Sequence, residues 1–152
     1  LSVDMPPGTG DIQLTMSQKV PVAGSVIVTT PQDIALLDAR RGIEMFRKVN
    51  IPVLGVVENM STHICSNCGH AEAIFGEEGG KQLAEEYGVS ELGKLPLSLS
   101  IRKLADSGAP TVLSEPDSDE AAIYLSIAEK VGATLASRSE QFTMPEIGMS
   151  DD

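Results

Sequence analysis

Two cysteines stand three positions apart in His63-Ile64-Cys65-Ser66-Asn67-Cys68-Gly69-His70, and the chain has no others. Two thiolates at this spacing can hold one metal ion or two irons of one cluster. Soft sulfur donors select Zn²⁺, Cu⁺ or iron–sulfur centres. Four chemistries are open to these residues. His63 and His70 beside Cys65 and Cys68 offer enough donors for one tetrahedral zinc, although His63 and Cys65 are crowded. The pair could be a redox dithiol, but its flanks lack the aromatic and proline usual there. It could be half of an iron–sulfur site. A [4Fe–4S] cluster usually takes four cysteines, so a symmetric dimer with the cluster on its two-fold axis would complete the set. The plainest alternative is two idle thiols in a loop.

A second constellation opens the chain: Asp4-Met5-Pro6-Pro7-Gly8-Thr9-Gly10-Asp11. Leu1 to Asp4 reads as the end of a β-strand. An Asp at the C-terminal end of a parallel strand lies where α/β sheets bind ligands, and in phosphoryl-transfer proteins such an Asp holds Mg²⁺. Pro6 and Pro7 stiffen the turn. Gly8 and Gly10 allow the backbone to approach a phosphate and present its N–H groups. Asp11 can cap the helix that follows. A plain turn rich in Pro and Gly is the alternative.

These residues need a scaffold. Ser25 to Thr30 and Pro52 to Glu58 are short apolar runs, fitting strands buried on both faces of a parallel sheet. Leu92 to Pro96 is a weaker third. Between them, Asp33 can cap a helix to about Val49 whose apolar stripe is Leu36, Ala39, Ile43 and Phe46. Gly79 to Tyr87 reads as a helix ended by Gly88. Ser100 to Ser107 is a short helix stopped by Gly108 and Pro110. Asp119 to about Ser137 is the last, with the stripe Tyr124, Ile127, Ala128, Val131 and Leu135. Strand and helix alternate as in βαβ units, with helices on both faces of the sheet. Residues 138–152 have no period and read as a flexible acidic tail.

Composition narrows the partners. The 152 residues are 41% hydrophobic but only 3% aromatic, so an aliphatic core is expected. The formal net charge of −11 repels phosphate backbones and anionic lipid, which argues against nucleic acid and membrane partners. No apolar run reaches the ~18 residues of a membrane span, and no secretory signal opens the chain. The close cysteine pair fits a reducing compartment, so a cytoplasmic protein is expected.

The string D-x-P-P-G-T-G-D resembles the Walker B and switch II segment of the Mrp/ApbC branch of the MinD/ParA-like NTPases. Other segments resemble that family in the same order: Thr30-Pro31-Gln32-Asp33, Asp38-Ala39-Arg40-Arg41-Gly42, Val57-Glu58-Asn59-Met60-Ser61, the Cys65–Gly69 CxxC, Phe75-Gly76 with Gly79-Gly80, Gly93-Lys94-Leu95-Pro96-Leu97, and Gly108-Ala109-Pro110. The likeness runs from Leu1 to about Ala136. It implies residues 1–137 of an α/β fold, the C-terminal part of a doubly wound, mostly parallel sheet of P-loop NTPase type, with a CxxC metal loop at about 60–76. It also implies an ATP-dependent iron–sulfur carrier working as a homodimer, with a labile [4Fe–4S] cluster on Cys65 and Cys68 that passes to apo iron–sulfur proteins. Asp4 would organise Mg²⁺ and Asp11 would help to position water. Pro6, Pro7, Gly8, Thr9 and Gly10 would form the switch that senses ATP. Asn59 would lie near the adenine, and Pro96 where the base packs. The competing classes are a MinD/ParA-like regulatory ATPase and a zinc-stabilised binding module.

One departure is plain. Nothing matches G-x-x-x-x-G-K-[ST], because Gly79-Gly80-Lys81 is too short and continues with Gln82. The natural chain is therefore expected to begin upstream of Leu1 with the phosphate-binding loop. Residues 1–152 alone are expected not to hydrolyse ATP. They should also expose a bare sheet edge and be marginally stable.

Overall fold

A computed structural model describes residues 1–6 and 8–139; Pro7 and the expected tail from residue 140 onward lie outside them. The elements run α1 (Asp11–Lys19), β1 (Ser25–Thr29), α2 (Asp33–Lys48), β2 (Val53–Glu58), β3 (His63–Ile64), β4 (Ala71–Glu72), α3 (Gly79–Tyr87), β5 (Ser90–Lys94), α4 (Leu99–Asp106), α5 (Thr111–Ser114) and α6 (Asp119–Ser139). The three longer strands form a parallel sheet in the order β1-β2-β5. A separate antiparallel hairpin joins β3 to β4.

The apolar runs explain the layers. Every residue of β2 is buried, as a central strand covered on both faces requires. On one face, Ile27, Val53 and Val56 pack with Leu36, Ala39 and Ile43 of α2 and Leu83 and Ala84 of α3. Phe46 closes the expected α2 stripe against this cluster. On the other face, Val57, Leu92 and Leu95 meet Ile123, Tyr124, Ile127 and Val131 of α6. Ile43 and Leu83 are wholly buried, each worth roughly 1.5–3 kcal/mol of apolar transfer. Strand β1 is covered on one side only. Its residues alternate, and Val26 and Val28 face outward and exposed. Among the described residues, β1 and β5 are the sheet's edges.

Several expectations need correction. Leu1 to Asp4 is not a strand: the segment has no ladder partner among the described residues, and extended residues without a partner are no part of a sheet. Asp11 and Asp33 do not cap their helices. Gly10 and Gln32 are the N-caps, without side-chain cap bonds, and each Asp is the first helical residue. There it favours the helix through the positive N-terminal end of the dipole. Ala128 is exposed, and the buried stripe of α6 runs through Ile123 instead. The same helix continues past Ser137 to Ser139. Gly88 does end α3, with φ at +64°, and Gly108 follows α4 at +71°.

Gly132 lies inside α6, and a Cβ built there would meet nothing within 4 Å. Gly132→Ala is expected to raise stability by about 0.5–1 kcal/mol, because alanine loses less backbone entropy in a helix. A lower denaturation midpoint for this variant would count against the open environment assigned to it. No helix among the described residues is long and apolar enough to cross a membrane.

Candidate metal and nucleotide site

The parallel sheet sends the C-terminal ends of β1, β2 and β5 to one edge, the position where open α/β sheets bind ligands. This ledge is stitched by backbone bonds. Asn59 N–H donates to Thr29 O at 2.7 Å and Leu95 N–H to Glu58 O at 2.8 Å. Asn59 and Pro96 therefore both lie on this ledge, one just past the end of β2 and the other two residues past the end of β5. Asn59 Oδ1 also accepts from Met60 N–H at 2.9 Å. That bond fixes the sharp turn in which Met60 takes φ of +55°, and Asn favours such local bonds.

The cysteine hairpin hangs from the same ledge. Ser61, buried, places both its N–H and its hydroxyl on Leu95 O, at 3.0 and 3.1 Å. Leu97 N–H donates to Thr62 O at 2.9 Å, and His63 bridges to Leu97 in parallel. Beyond this root the two short strands carry a tight tip. Cys65 N–H donates to His70 O at 2.9 Å and Gly69 N–H to Cys65 O at 2.8 Å. Gly69 takes φ of +72°, the left-handed geometry that lets the tip close. Cys65 is half-buried and Cys68 exposed, and neither is in a disulfide.

The tip is built to favour thiolate. The Asn67 N–H, followed by the N–H and thiol of Cys68, points at the Cys65 sulfur and holds its pKa below the ordinary thiol value. In the metal-free protein, residue-resolved alkylation by iodoacetamide should therefore reach half-maximal rate at lower pH for Cys65 than for a reference peptide thiol near ~8.5. Superimposable profiles would show that the hairpin amides do not act on the sulfur. Among the described residues, no three His, Cys, Asp or Glu side chains gather to hold a metal ion. His63 and His70 thus do not join the cysteines, and His63 Nδ1 lies 3.4 Å from Leu97 O instead. Among the described residues, the tip thus offers two sulfurs and no third ligating side chain.

The Asp4–Asp11 segment is an exposed turn leading into α1. Gly8 takes φ of +101°, which only glycine adopts easily, whereas Gly10 has an ordinary extended backbone. Asp4, Pro6, Thr9 and Asp11 are all exposed; Pro7 is not described. Buried Gln13, in the first turn of α1, donates from Nε2 to Pro6 O at 3.0 Å and ties the helix back onto the loop. With no side chain capping α1, its first N–H groups point toward the turn, the arrangement that receives anions at helix N-termini. Sequence reasoning gave Gln13 no role and named Glu58 and Ser61 only within a family-like segment. Burial and their bonds to Pro6, Gly80 and Leu95 are what mark them.

Residues 1–132 match the ParA family, described as NUBPL iron-transfer P-loop NTPase. Over 135 residues the chain is 68% identical to an iron-sulfur cluster carrier protein of Pseudomonas fragi, covering 89% of this chain and 47% of that one. Over 140 residues it is 56% identical to the iron-sulfur cluster transfer protein NUBPL of Mus musculus, covering 92% and 44%. Among solved structures, a nucleotide-binding protein from Archaeoglobus fulgidus in complex with ADP superposes with a TM-score of 0.64 at 36% identity, covering 76% of this chain and 46% of that one. The chain thus spans about half the length of the curated relatives it matches.

Proposed function

The chain belongs to the ParA family of NUBPL iron-transfer P-loop NTPases, and from that premise we propose that it forms part of an ATP-dependent iron–sulfur cluster carrier. One observation carries this reading. Two cysteines sit at an exposed hairpin tip whose amides favour thiolate, and no third protein ligand stands beside them among the described residues. A permanent structural metal would be enclosed by a full ligand set. An open two-sulfur tip suits cargo that is shared and released.

In this reading Cys65 and Cys68 hold one side of a labile [4Fe–4S] cluster, and the same residues of a second copy hold the other. Ile64, exposed and next to Cys65 in the chain, supplies apolar surface that the second copy would cover. The cluster then passes to apo iron–sulfur proteins in the cytoplasm. ATP with Mg²⁺ supplies the phosphoryl-transfer chemistry. Asp4 would hold the Mg²⁺, and Asp11 would position water. The Pro6, Pro7, Gly8, Thr9 and Gly10 turn would meet the γ-phosphate through its backbone. Asn59 would pair with the adenine edge, and Pro96 would pack against the base. The ADP-bound relative and the carrier names of the curated relatives support both halves of the proposal.

The test is anaerobic iron and sulfide reconstitution of the full-length protein, read by visible absorption and metal analysis. About four irons per dimer are expected. One tightly held zinc per monomer with no cluster would overturn the carrier reading in favour of a zinc-stabilised ATPase or binding module.

A further inference from the structure

Glu58 is a carboxylate with 1% exposure, and no step proposed above uses it. A buried carboxyl group is tolerated where hydrogen bonds replace water. Here Oε2 accepts from Gly80 N–H at 2.6 Å. Gly80 lies in the first turn of α3, whose N–H groups carry partial positive charge. The helix is pressed onto this carboxylate. A Cβ on Gly80 would lie 2.8 Å from Glu58 Cβ and 3.0 Å from its Oε2. A Cβ on Gly79 would lie 3.0 Å from Pro31 O, and one on Gly76 would lie 3.2 Å from the same oxygen. The segment leaving the cysteine hairpin is thus laid directly against the ends of β1 and β2. The segment entering it is fixed to the end of β5 through Ser61 and Leu97. The hairpin's entrance is bonded to the ledge that carries Asn59, and its exit leads within eight residues to Gly80 in α3, which Glu58 fixes to the end of β2.

We infer that Glu58 is a positioning residue that ties the exit of the cysteine hairpin to the strand-end ledge, so that nucleotide bound at the ledge is felt at the hairpin. The inference rests on the nucleotide-binding half of the proposed function. Coupling of this kind needs a measured effect of one site on the other, because proximity alone does not establish it.

The experiment follows amide hydrogen exchange in the hairpin of the full-length, metal-free protein with and without Mg-ADP. The Cys65 and Gly69 amides are bonded across the tip and report its opening. Two variants separate reach from the carboxyl group itself. Glu58→Gln keeps the length and an acceptor for Gly80 N–H. Glu58→Asp keeps the carboxyl group but is one methylene too short to reach it. In wild type and Glu58→Gln, Mg-ADP is expected to slow hairpin exchange by at least about fivefold. In Glu58→Asp the ratio should fall below about twofold, with ADP affinity still within about threefold of wild type. A merely structural loss would speed exchange in α3 and the hairpin with and without nucleotide alike, leaving the ratio unchanged, and that result would overturn the inference. So would a wild-type hairpin indifferent to Mg-ADP, or loss of the effect in Glu58→Gln as well. Iron content is read separately, so a protein that binds ADP but assembles no cluster sinks only the carrier reading. A protein that binds no ADP sinks both.

Discussion

The Cys65→Ala/Cys68→Ala variant of the full-length protein is expected to retain less than about a tenth of the iron that wild type takes up, with its folding unchanged, because the proposed bridging cluster needs four thiolates and the variant supplies none. The structure explains why the fold should survive. The bonds that shape the tip, Cys65 N–H to His70 O and Gly69 N–H to Cys65 O, are backbone bonds that alanine keeps. Cys68 is exposed and Cys65 only half-buried, so no core contact is lost. Either single alanine variant would leave two sulfurs per dimer and should also fail to hold the cluster. Iron and sulfide analysis after reconstitution, with circular dichroism as the folding control, decides the matter. A double variant that loads iron normally would remove the cysteines from the site.

Gly55→Ala should destabilise the same protein by about 1–3 kcal/mol, the usual cost of overpacking a filled core. Gly55 lies in the central strand, where a Cβ would stand 2.5 Å from Ser90 O and 2.6 Å from Leu92 Cγ. The first obstacle is backbone of the neighbouring strand and cannot swing aside. Relief requires β5 to move away from β2, straining a pairing whose register already shifts between Val56 and Val57. The effect reaches the cysteine hairpin, because Leu95 and Leu97, just past β5, hold its entrance. Cluster loading should therefore fall along with stability. Urea denaturation with an unchanged slope and a lower midpoint is the expected signature. An unchanged midpoint would mean that the two strands are not so closely packed.

Two strands were readable as apolar runs, Ser25 to Thr29 and Val53 to Glu58, but only the second is buried on both faces, since Val26 and Val28 of the first are exposed. The third, Ser90 to Lys94, is mostly polar and was the weaker signal. The helices were readable from stripes such as Leu36, Ala39 and Ile43, and from stop signals such as Gly88. The hairpin was less so. Its strands are two residues each, and their order comes from bonds to Leu95 and Leu97, more than thirty positions away in the chain. Leu1 to Asp4 misled because an apolar start resembles a strand until a ladder partner is sought. Glu58 looked like the polar end of a strand. Its burial depends on Gly80, and only the fold shows that the two meet. The cysteine pair itself was conspicuous from spacing alone, but its exposure and the amides aimed at Cys65 are properties of the closed tip.

The order of the strands bears on how such a protein is made. Synthesis proceeds from the N-terminus, and parallel strands can pair only after the intervening crossover has emerged. Cys65 and Cys68 leave the ribosome before β5, yet Leu95 and Leu97 beyond β5 are what fix the hairpin's entrance to the sheet. For that interval the two thiols belong to a nascent chain with no platform beneath them. A translational pause that falls after the two cysteines have emerged but before Leu95 and Leu97 have would lengthen their exposure to oxidants and stray metals, and one after Leu97 has emerged would not.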